Sequence, residues 1–344
     1  MRVEKLVVKV GTNLLVGEDG RLDKGFIISL ASVISRIMKS GIKVSLVSSG
    51  ARAAGYGLLR ISGISLREKQ ALCAVGQVEL MKIYESAFDF HGVKVAQLLL
   101  TRDDFHNRRR FLNLRNTLIT LMELGVLPII NENDTVVTEE IEFGDNDILA
   151  SMYSVGWGAD HLILLTTVDG IMDSNGKLIE KYSDDVEIPE LGTSRWGSGG
   201  MSSKIEAAKM AFNAGIRVCI CSGRDLNNVL RFIDGERVGT VFEPIEVKRR
   251  KARKMWIGFL AKPRGSIRIN NGAVDALKNG KSLLAVGIIG VEGKFQKGDV
   301  VKIVDENGRN VGRGITNYSS DEVDEMKGLH HVDEVIHADN LVLT

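Results

Sequence analysis

The sequence has no long apolar stretch and few cysteines. No run approaches the roughly 18 uninterrupted apolar residues that a membrane-spanning helix needs, and the first residues lead straight into an apolar strand without the pattern of a cleavable signal. The three cysteines, Cys73, Cys219 and Cys221, lack the additional Cys or His residues of a zinc site, so we expect buried thiols. These absences together predict a cytoplasmic protein.

The sequence also lacks a charge excess. It carries 45 Lys and Arg against 44 Asp and Glu, a net charge of +1, so composition alone indicates no polyanionic partner. The histidines His161, His330, His331 and His337 have no metal-ligand spacing. Because 344 residues exceed one typical core, the length predicts two domains.

Short apolar runs alternate with amphipathic segments over the first two thirds of the chain. We predict strands over Lys5–Val10, Ile42–Val47, Val93–Leu100, Val126–Ile130, His161–Leu165 and Ile216–Ile220. We predict helices over Lys24–Met38, Leu66–His91, Arg108–Leu124, Asp147–Val155 and Ser203–Asn213. Nearly continuous apolar strands are typical of a parallel sheet buried on both faces. The alternation therefore predicts an α/β sandwich, in which ligands bind beyond the C-terminal ends of the strands.

The pattern changes near Glu243. Residues 246–254, EVKRRKARK, include six basic residues and are interpreted as a solvated linker or an exposed helix. Beyond them we predict strands in WIGFL, GSIRI, SLLAVGIIGV, DVVKIVD and NVGRGITNY, with one helix over Gly272–Lys278. The chain is thus predicted to contain a large domain over 1–245, a linker over 246–254 and a small barrel-like β domain over 255–344.

Polar side chains follow the first two predicted strands. Lys9 lies near the end of the first, where a lysine among apolar residues is costly unless it meets an anion. The alternative is an edge lysine that reaches solvent. Ser49 and Gly50 follow the second strand and precede a helix, whose first backbone amides can bind an anion.

Two clusters of acidic and amide residues follow the fourth predicted strand. NENDTV contains Asp134, and FGDNDILA contains Asn146 and Asp147. Each carboxylate taken alone is readily explained as a helix cap. Two clusters at adjacent strand ends favour recognition of the ammonium group of an amino acid.

A glycine-rich loop, WGSGGMSSK, leads into the last helix of the large domain. Its backbone amides and Lys204 suit a phosphate group. The sequence contains neither a Walker A motif nor a strand that leads into G-x-G-x-x-G. The residues alone therefore predict a phosphate-handling α/β enzyme with a small polar substrate.

These segments resemble, in order, the motifs of the glutamate 5-kinase family within the amino-acid kinase superfamily. The motifs are VVKVGTN, SSGARAAG, AVGQ, LLLTRDDF, RFLN, NENDTV, GDND and GSGGMSSK. The region from about Trp256 resembles the PUA domain of many bacterial members. The resemblance implies an amino-acid-kinase-like α/β/α sandwich with a mainly parallel central sheet, plus a small β-barrel-like PUA domain. It also implies ATP-dependent phosphorylation of the γ-carboxylate of L-glutamate, the first step of proline biosynthesis.

The resemblance further implies roles for single residues. Lys9 and Lys204 would neutralise the transferring phosphoryl group, and Asp147 would hold both lysines. Glutamate would bind to Ser49, Gly50, Asp134 and Asn146. ATP would bind to Lys9, Thr166, Thr167, Ser198, Gly199, Gly200, Met201, Ser202, Ser203 and Lys204. The family often has Thr-Asp in place of Thr166-Thr167 and an aromatic in place of Met172, so we expect local nucleotide contacts to differ.

The family resemblance also implies Mg²⁺ held mainly by the ATP phosphates, a homotetramer, feedback inhibition by proline, and a downstream glutamyl phosphate reductase. Acetylglutamate, aspartate, carbamate and UMP kinases share the scaffold, so the fold does not choose among acceptors; the two polar clusters and the PUA-like tail favour free glutamate. A different alternative is an RNA-binding protein. Residues 255–344 carry 7 Lys and 4 Arg against 12 acidic residues, so this region lacks the excess of basic residues that is typical of an RNA-binding domain. We therefore expect no RNA binding and a structural or regulatory tail.

Overall fold

A computed structural model describes residues 3–61, 65–136, 146–183, 200–244, 252–330 and 334–343. The chain divides into two compact units. The first comprises Met1–Asp104 and Arg109–Lys248, and the second comprises Phe105–Arg108 and Arg249–Thr344. Within the described ranges, no helix combines the length and the apolar character that a membrane span requires.

Strands and helices alternate as far as Phe242. The strands are β1 (Lys5–Val10), β2 (Lys43–Val47), β3 (Val95–Leu100), β4 (Leu127–Glu132), β5 (His161–Thr166), β6 (Arg217–Ser222) and β7 (Thr240–Phe242). The helices are α1 (Thr12–Leu15), α2 (Lys24–Lys39), α3 (Ala51–Leu59), α4 (Leu66–Asp89), α5 (Arg102–His106), α6 (Arg108–Glu123), α7 (Asn146–Trp157), α8 (Met201–Asn213) and α9 (Asn227–Ile233). All strands and helices predicted for this region are confirmed, with ends shifted by at most two residues.

The strands form one seven-stranded sheet in the order β3-β4-β2-β1-β5-β6-β7. All neighbours are parallel except β6 and β7, which are antiparallel. Central strands are buried on both faces: Val7 and Val8 of β1 are fully buried although their side chains point to opposite sides. The predicted α/β sandwich with a mainly parallel sheet is confirmed, and the carboxyl ends of β1, β2, β4 and β5 meet at one edge.

The three cysteines are buried free thiols, as predicted. Cys219 and Cys221 lie two residues apart in β6 and have no exposed surface. Cys73 lies on α4 and is also buried. Their burial is explained by packing in the interior of the first unit.

Helices α3 and α4 cross with their backbones in close contact. A Cβ atom built on Gly76 of α4 would lie 1.8 Å from the carbonyl oxygen of Ala51, and one on Gly55 of α3 would lie 2.0 Å from the carbonyl oxygen of Leu72. Only glycine fits at either position, because a side chain would overlap main-chain atoms. The crossing fixes α4 against the turn that follows β2.

The second unit contains a five-stranded sheet in the order β12-β11-β10-β8-β9. Its strands are β8 (Gly265–Ile269), β9 (Ile288–Gly293), β10 (Val300–Val304), β11 (Asn310–Ile315) and β12 (Leu341–Leu343). Its helices are α10 (Ala252–Met255), α11 (Asn271–Lys278) and α12 (Ser320–Met326). A separate apolar core, which includes Ile267, Ile303 and Ile336, supports it.

Three predictions for this region are wrong. Trp256–Leu260 forms a π-helix rather than a strand, because a short continuous apolar run does not distinguish a strand from a buried helix. In SLLAVGIIGV only the last four residues, 288–291, are strand, as the start of β9, and a 3₁₀ turn precedes them. Only one helix was predicted, but the structure has a further helix, α12, which begins with a capping box formed by Ser319 and Glu322. Of the predicted linker, residues 246–251 lie outside the described ranges.

Candidate active site

Two buried lysines from distant parts of the chain contact one carboxylate. Lys9, near the end of β1, places its Nζ 2.6 Å from Oδ1 of Asp147. Lys204, in the first turn of α8, places its Nζ 2.9 Å from Oδ2. Asp147 lies in the first turn of α7 and is 1% exposed, while Lys9 is 4% exposed. Lys9 is therefore not an edge lysine that reaches solvent.

The three side chains together carry one net positive charge. Burial alone would raise the pKa of Asp147, but the neighbouring charges of Lys9 and Lys204 hold the pKa below its ordinary value. The carboxylate is therefore ionised between two ammonium groups. Buried side chains with a net positive charge, at the end of a strand in a parallel sheet, are suited to binding an anion such as a phosphate group.

A group of amide side chains lies next to this cluster in the sequence and at the same edge of the sheet. Asn146, the first residue of α7, donates from Nδ2 to Oγ of Ser49 at 3.1 Å and to Oδ1 of Asn131 at 3.1 Å. The backbone N–H of Glu132 donates to Oδ1 of Asn131 at 2.9 Å and to Oδ1 of Asn146 at 3.2 Å. These four residues are all buried. The site thus holds the ends of β2 and β4 and the start of α7 in one network.

Gly50 forms the turn between β2 and α3. Its φ angle of +95° lies in the left-handed region, which favours glycine. The turn delivers Ser49 to the amide network and begins α3, so its conformation connects the strand end to the helix that crosses α4.

Asp134 lies two residues beyond β4. Burial raises the pKa of Asp134 to about 6, against the lowering effects of a hydrogen bond with Cys73 and of the charge of Arg52. Burial and the neighbouring Asp134 carboxylate in turn raise the pKa of the Cys73 thiol, so this cysteine stays protonated. A partly protonated carboxyl group at neutral pH gains its full charge when a cationic ligand binds beside it.

Of the residues expected to bind ATP, all but Ser198 and Gly199 lie within the described ranges. Thr166 ends β5 and is half-buried, as is Thr167, and the carbonyl of Thr166 accepts from the backbone N–H of Gly223 at 2.8 Å. Gly200 precedes α8, whose first residues are Met201, Ser202, Ser203 and Lys204. The first amides of a 13-residue helix have no partner within the helix, which makes its start suitable for a phosphate group.

The structure brings together Lys9, Asp147 and Lys204, and separately Ser49 and Asn146 with Asn131. Two further members of this network were not predicted as site residues: Asn131, the first residue of NENDTV, and Gln77, whose Oε1 accepts from Nδ2 of Asn131 at 2.9 Å. A signal for Gln77 exists in the sequence, because this residue ends the motif AVGQ that contributes to the family resemblance, but the motif alone indicates no role for the side chain.

Few of the described residues at this site could hold a metal ion. Across the part of the chain that the structure describes, no three His, Cys, Asp or Glu side chains stand together in a way that could hold a metal ion. Asp147, the carboxylate nearest the lysines, is already paired with both.

Comparisons with known proteins agree with this geometry. A model of the amino acid kinase family matches residues 4–222, and a model of the PUA domain matches residues 265–338. A glutamate 5-kinase of Thermotoga maritima is 56% identical over 328 residues, which cover 95% of this chain and 92% of that protein. The chain belongs to the glutamate 5-kinase family.

A second member of the glutamate 5-kinase family, from Kosmotoga olearia, is also 56% identical, over 331 residues that cover 94% of this chain and 92% of that protein. Among solved structures, UMP kinase from Bacillus anthracis aligns with a TM-score of 0.50 at 14% identity, covering 72% of this chain and 98% of that one. At this identity the likeness shows the fold and does not bear on the acceptor.

Proposed function

We propose that this member of the glutamate 5-kinase family transfers the γ-phosphate of ATP to the γ-carboxylate of L-glutamate and releases ADP and L-glutamyl 5-phosphate. The observation that carries the proposal is the contact of Lys9 and Lys204 with the single carboxylate of Asp147. It is supported by the 56% identity to glutamate 5-kinases over nearly the whole chain.

The reaction needs no general base. A glutamate side chain has a pKa of about 4.3, so it is already an anionic nucleophile at neutral pH. One carboxylate oxygen forms a bond to the γ-phosphorus, and the bond from that phosphorus to the β–γ bridging oxygen breaks, which leaves the negative charge on ADP. Catalysis then depends on alignment of the two reactants and on neutralisation of the phosphoryl oxygens.

Lys9 and Lys204 supply that neutralisation in our proposal. A carboxylate and a triphosphate repel each other, and the net positive charge of the Lys9–Asp147–Lys204 cluster lowers this repulsion. Asp147 acts as a positioning residue, since it accepts from both lysines and holds their Nζ atoms apart at fixed places. Mg²⁺ would arrive on the ATP phosphates and add charge neutralisation there.

The glutamate site is proposed to comprise Ser49, Gly50, Asp134 and Asn146. Asp134 would bind the ammonium group of glutamate, and the Ser49 hydroxyl would donate to one of its carboxylates. Asn146, whose Nδ2 donates to Ser49 and to Asn131, would hold Ser49 in place. ATP is proposed to bind along Thr166, Thr167 and the segment Ser198–Lys204, which includes the start of α8. Thr167 and Met172 differ from the family pattern and would alter contacts to the nucleotide without changing the reaction.

Further properties implied by the family are proposed with the same activity. These are a cytoplasmic location, a homotetramer, inhibition by proline near the glutamate site, and transfer of the labile product to glutamyl phosphate reductase. We propose that the large domain spans 1–245, the linker 246–254 and the PUA-like domain 255–344, and that the last of these is structural or regulatory.

The proposal is tested by ATP turnover with Mg²⁺ across glutamate, acetylglutamate, aspartate and carbamate, with the acyl phosphate trapped as a hydroxamate. We expect turnover with glutamate and suppression by added proline. Turnover with another acceptor would preserve the phosphate site but overturn the assignment of Ser49, Asp134 and Asn146. No turnover with any of the four would reject the kinase proposal and favour binding of RNA instead.

A further inference from the structure

A chain of hydrogen bonds runs from the middle of α4 to the end of β2. Gln77 accepts from Asn131, Asn131 accepts from Asn146, and Asn146 donates to Ser49, at 2.9, 3.1 and 3.1 Å. All four side chains are more than nine-tenths buried. We call these four residues the amide relay.

The direction of the amide relay is fixed by the main chain. The backbone N–H of Glu132 can only donate, and it points to Oδ1 of Asn131 and to Oδ1 of Asn146. Rotating either amide by 180° would place its NH₂ group against that N–H, so both orientations are determined. The Nδ2 of Asn131 must then find an acceptor, and Oε1 of Gln77 provides it.

The direction of the amide relay sets the role of the Ser49 hydroxyl. Ser49 receives a hydrogen bond from Asn146, so its own O–H is left to donate. Within the described part of the chain, no side chain or carbonyl accepts this proton, and Nε2 of Gln77 likewise has no partner there. Buried donors without an acceptor are costly, which indicates that a ligand supplies acceptor atoms.

The position of Gln77 is set by the preceding residue. Gly76 lets α4 approach the carbonyl oxygen of Ala51 and the backbone nitrogen of Gly55 on α3, which no larger residue permits. Since α3 begins directly after Ser49 and Gly50, the helix crossing places the two ends of the amide relay at a fixed separation.

We propose that Gln77 is a positioning residue for the substrate: by accepting from Asn131 it supplies the partner that the relay needs to keep the direction set by the backbone N–H of Glu132, so that Ser49 donates its O–H to a carboxylate of the substrate. The inference rests on the proposed function in that glutamate is the substrate carrying this carboxylate. Gln77 acts through Asn131 and Asn146 rather than on the reacting atoms.

The first test is Gln77→Met, which keeps the length of the side chain and removes its acceptor. Without that acceptor the Nδ2 of Asn131 becomes a buried donor with no partner, so the amide must shift to find one, which disturbs its contact with Asn146 and, through Asn146, with Ser49. We expect KM for glutamate to rise about 10- to 100-fold, with KM for ATP and the affinity for a non-hydrolysable ATP analogue within about twofold of wild type. An unchanged KM for glutamate would overturn the inference.

Tyr84→Phe is the matched control. Tyr84 is a buried residue of the same helix, two turns after Gln77, and its hydroxyl bonds to Oγ of Ser48 at 2.8 Å outside the amide relay. This substitution removes a buried hydrogen bond to the neighbouring residue of Ser49. We expect it to lower the thermal midpoint while KM for glutamate stays within about twofold, because only the amide relay orients Ser49. An equal rise in KM in both variants would assign the effect to general loosening and reject a specific role of Gln77.

A double-mutant cycle separates action through Ser49 from independent effects. Ser49→Ala should also raise KM for glutamate, and Gln77→Met added to Ser49→Ala should raise it less than about threefold further, since residues coupled in one network are non-additive. Multiplicative effects of the two substitutions would overturn the inference. If Gln77→Met does not fold, Gln77→Ala, which retains a good helix former, is measured with the same outcomes.

The failure of the proposed function would be visible in a different measurement. Wild-type turnover with glutamate is required before any variant is compared, and its absence counts against the function. If the wild type instead phosphorylates another carboxylate acceptor, the same KM comparison is made with that acceptor, because the amide relay presents a donor to a carboxylate in either case.

Discussion

Lys204 donates a hydrogen bond of 2.9 Å to Asp147, a residue 57 positions earlier in the chain. Both side chains lie in the first turn of their helices, so the contact joins the starts of α7 and α8. Lys9 of β1 pairs with the remaining oxygen of the same carboxylate. One carboxylate thus sets the places of two ammonium groups from opposite ends of the first unit, at the sheet edge where ligands bind in parallel α/β folds.

Lys204→Ala is expected to lower kcat by about 10²- to 10³-fold, the usual effect of removing one donor that stabilises transition-state charge. The fold should persist, because Asp147 remains paired with Lys9. Lys209→Ala is the control on the same helix, since this exposed lysine lies over the ring of Tyr182, 5.3 Å from its centroid, and takes no part in the cluster. Steady-state kinetics should show near-normal kcat for the control. Near-normal kcat for Lys204→Ala as well would remove Lys204 from the mechanism.

Asp134 is expected to make glutamate binding depend on pH. Because burial raises the pKa of Asp134 to about 6, the carboxyl group is half protonated near pH 6 in the free protein. An ammonium group binds the ionised form, so KM for glutamate should rise as the pH falls below about 6, approaching roughly tenfold per pH unit. Asp134→Asn should raise KM at about pH 8 and flatten this dependence. A wild-type KM that does not vary between about pH 5 and 8 would contradict the assignment.

The same carboxyl group should make the folded protein less stable as the pH rises, whereas glutamate binding should improve. Its pKa is higher in the folded than in the unfolded chain, so its contribution is fully present below about pH 4 and is lost as the pH rises through about 6. At about pH 8 the free energy of unfolding of Asp134→Asn is therefore expected to exceed that of the wild type by about 1–3 kcal/mol, and at about pH 4 the difference should disappear. Denaturant unfolding at the two pH values measures it. Equal stability of the two proteins at the higher pH would contradict the raised pKa.

The sequence was sufficient to predict the sheet and the residues at its edge, because nearly continuous apolar strands must be buried on both faces and their polar ends must then lie at an edge. It did not predict the amide relay. Gln77 lies on a helix face that periodicity assigns to the core, and its partner Asn131 is 54 positions away. The π-helix at Trp256–Leu260 was also missed, since an apolar run buried on all sides has the same pattern in a strand and in a helix.

Gly76→Ala is expected to destabilise the protein by about 3 kcal/mol or more, because the new Cβ would overlap the carbonyl oxygen of Ala51 and the helices must separate. Gly57→Ala on α3 is the matched control. A Cβ there meets only the side chain of Arg21, at 3.4 Å, so this change should be neutral or stabilise the helix by up to about 1 kcal/mol. Denaturant unfolding of both variants distinguishes the two effects, and similar midpoints would contradict the tight crossing.

His161 is expected to make the protein sensitive to acid. Burial, together with the charge of Arg217, lowers the pKa of His161 to about 4, and the ring packs edge-on against Phe232, with 5.3 Å between the ring centroids. Because the pKa of His161 is lower in the folded chain, the unfolded chain takes up the proton first as the pH falls. The contribution of His161 to stability is therefore present above about pH 6.5 and is lost as the pH falls towards about 4.

His161→Phe should therefore reduce the loss of unfolding free energy between about pH 7 and pH 4.5 by about 1–3 kcal/mol, since the ring is kept and the titrating group is removed. His337→Gln is the control for the loss of a histidine that is half exposed. Urea unfolding at the two pH values measures the difference. If the wild type and His161→Phe lose the same unfolding free energy between the two pH values, His161 does not take up a proton on unfolding. Other groups would then cause the acid sensitivity.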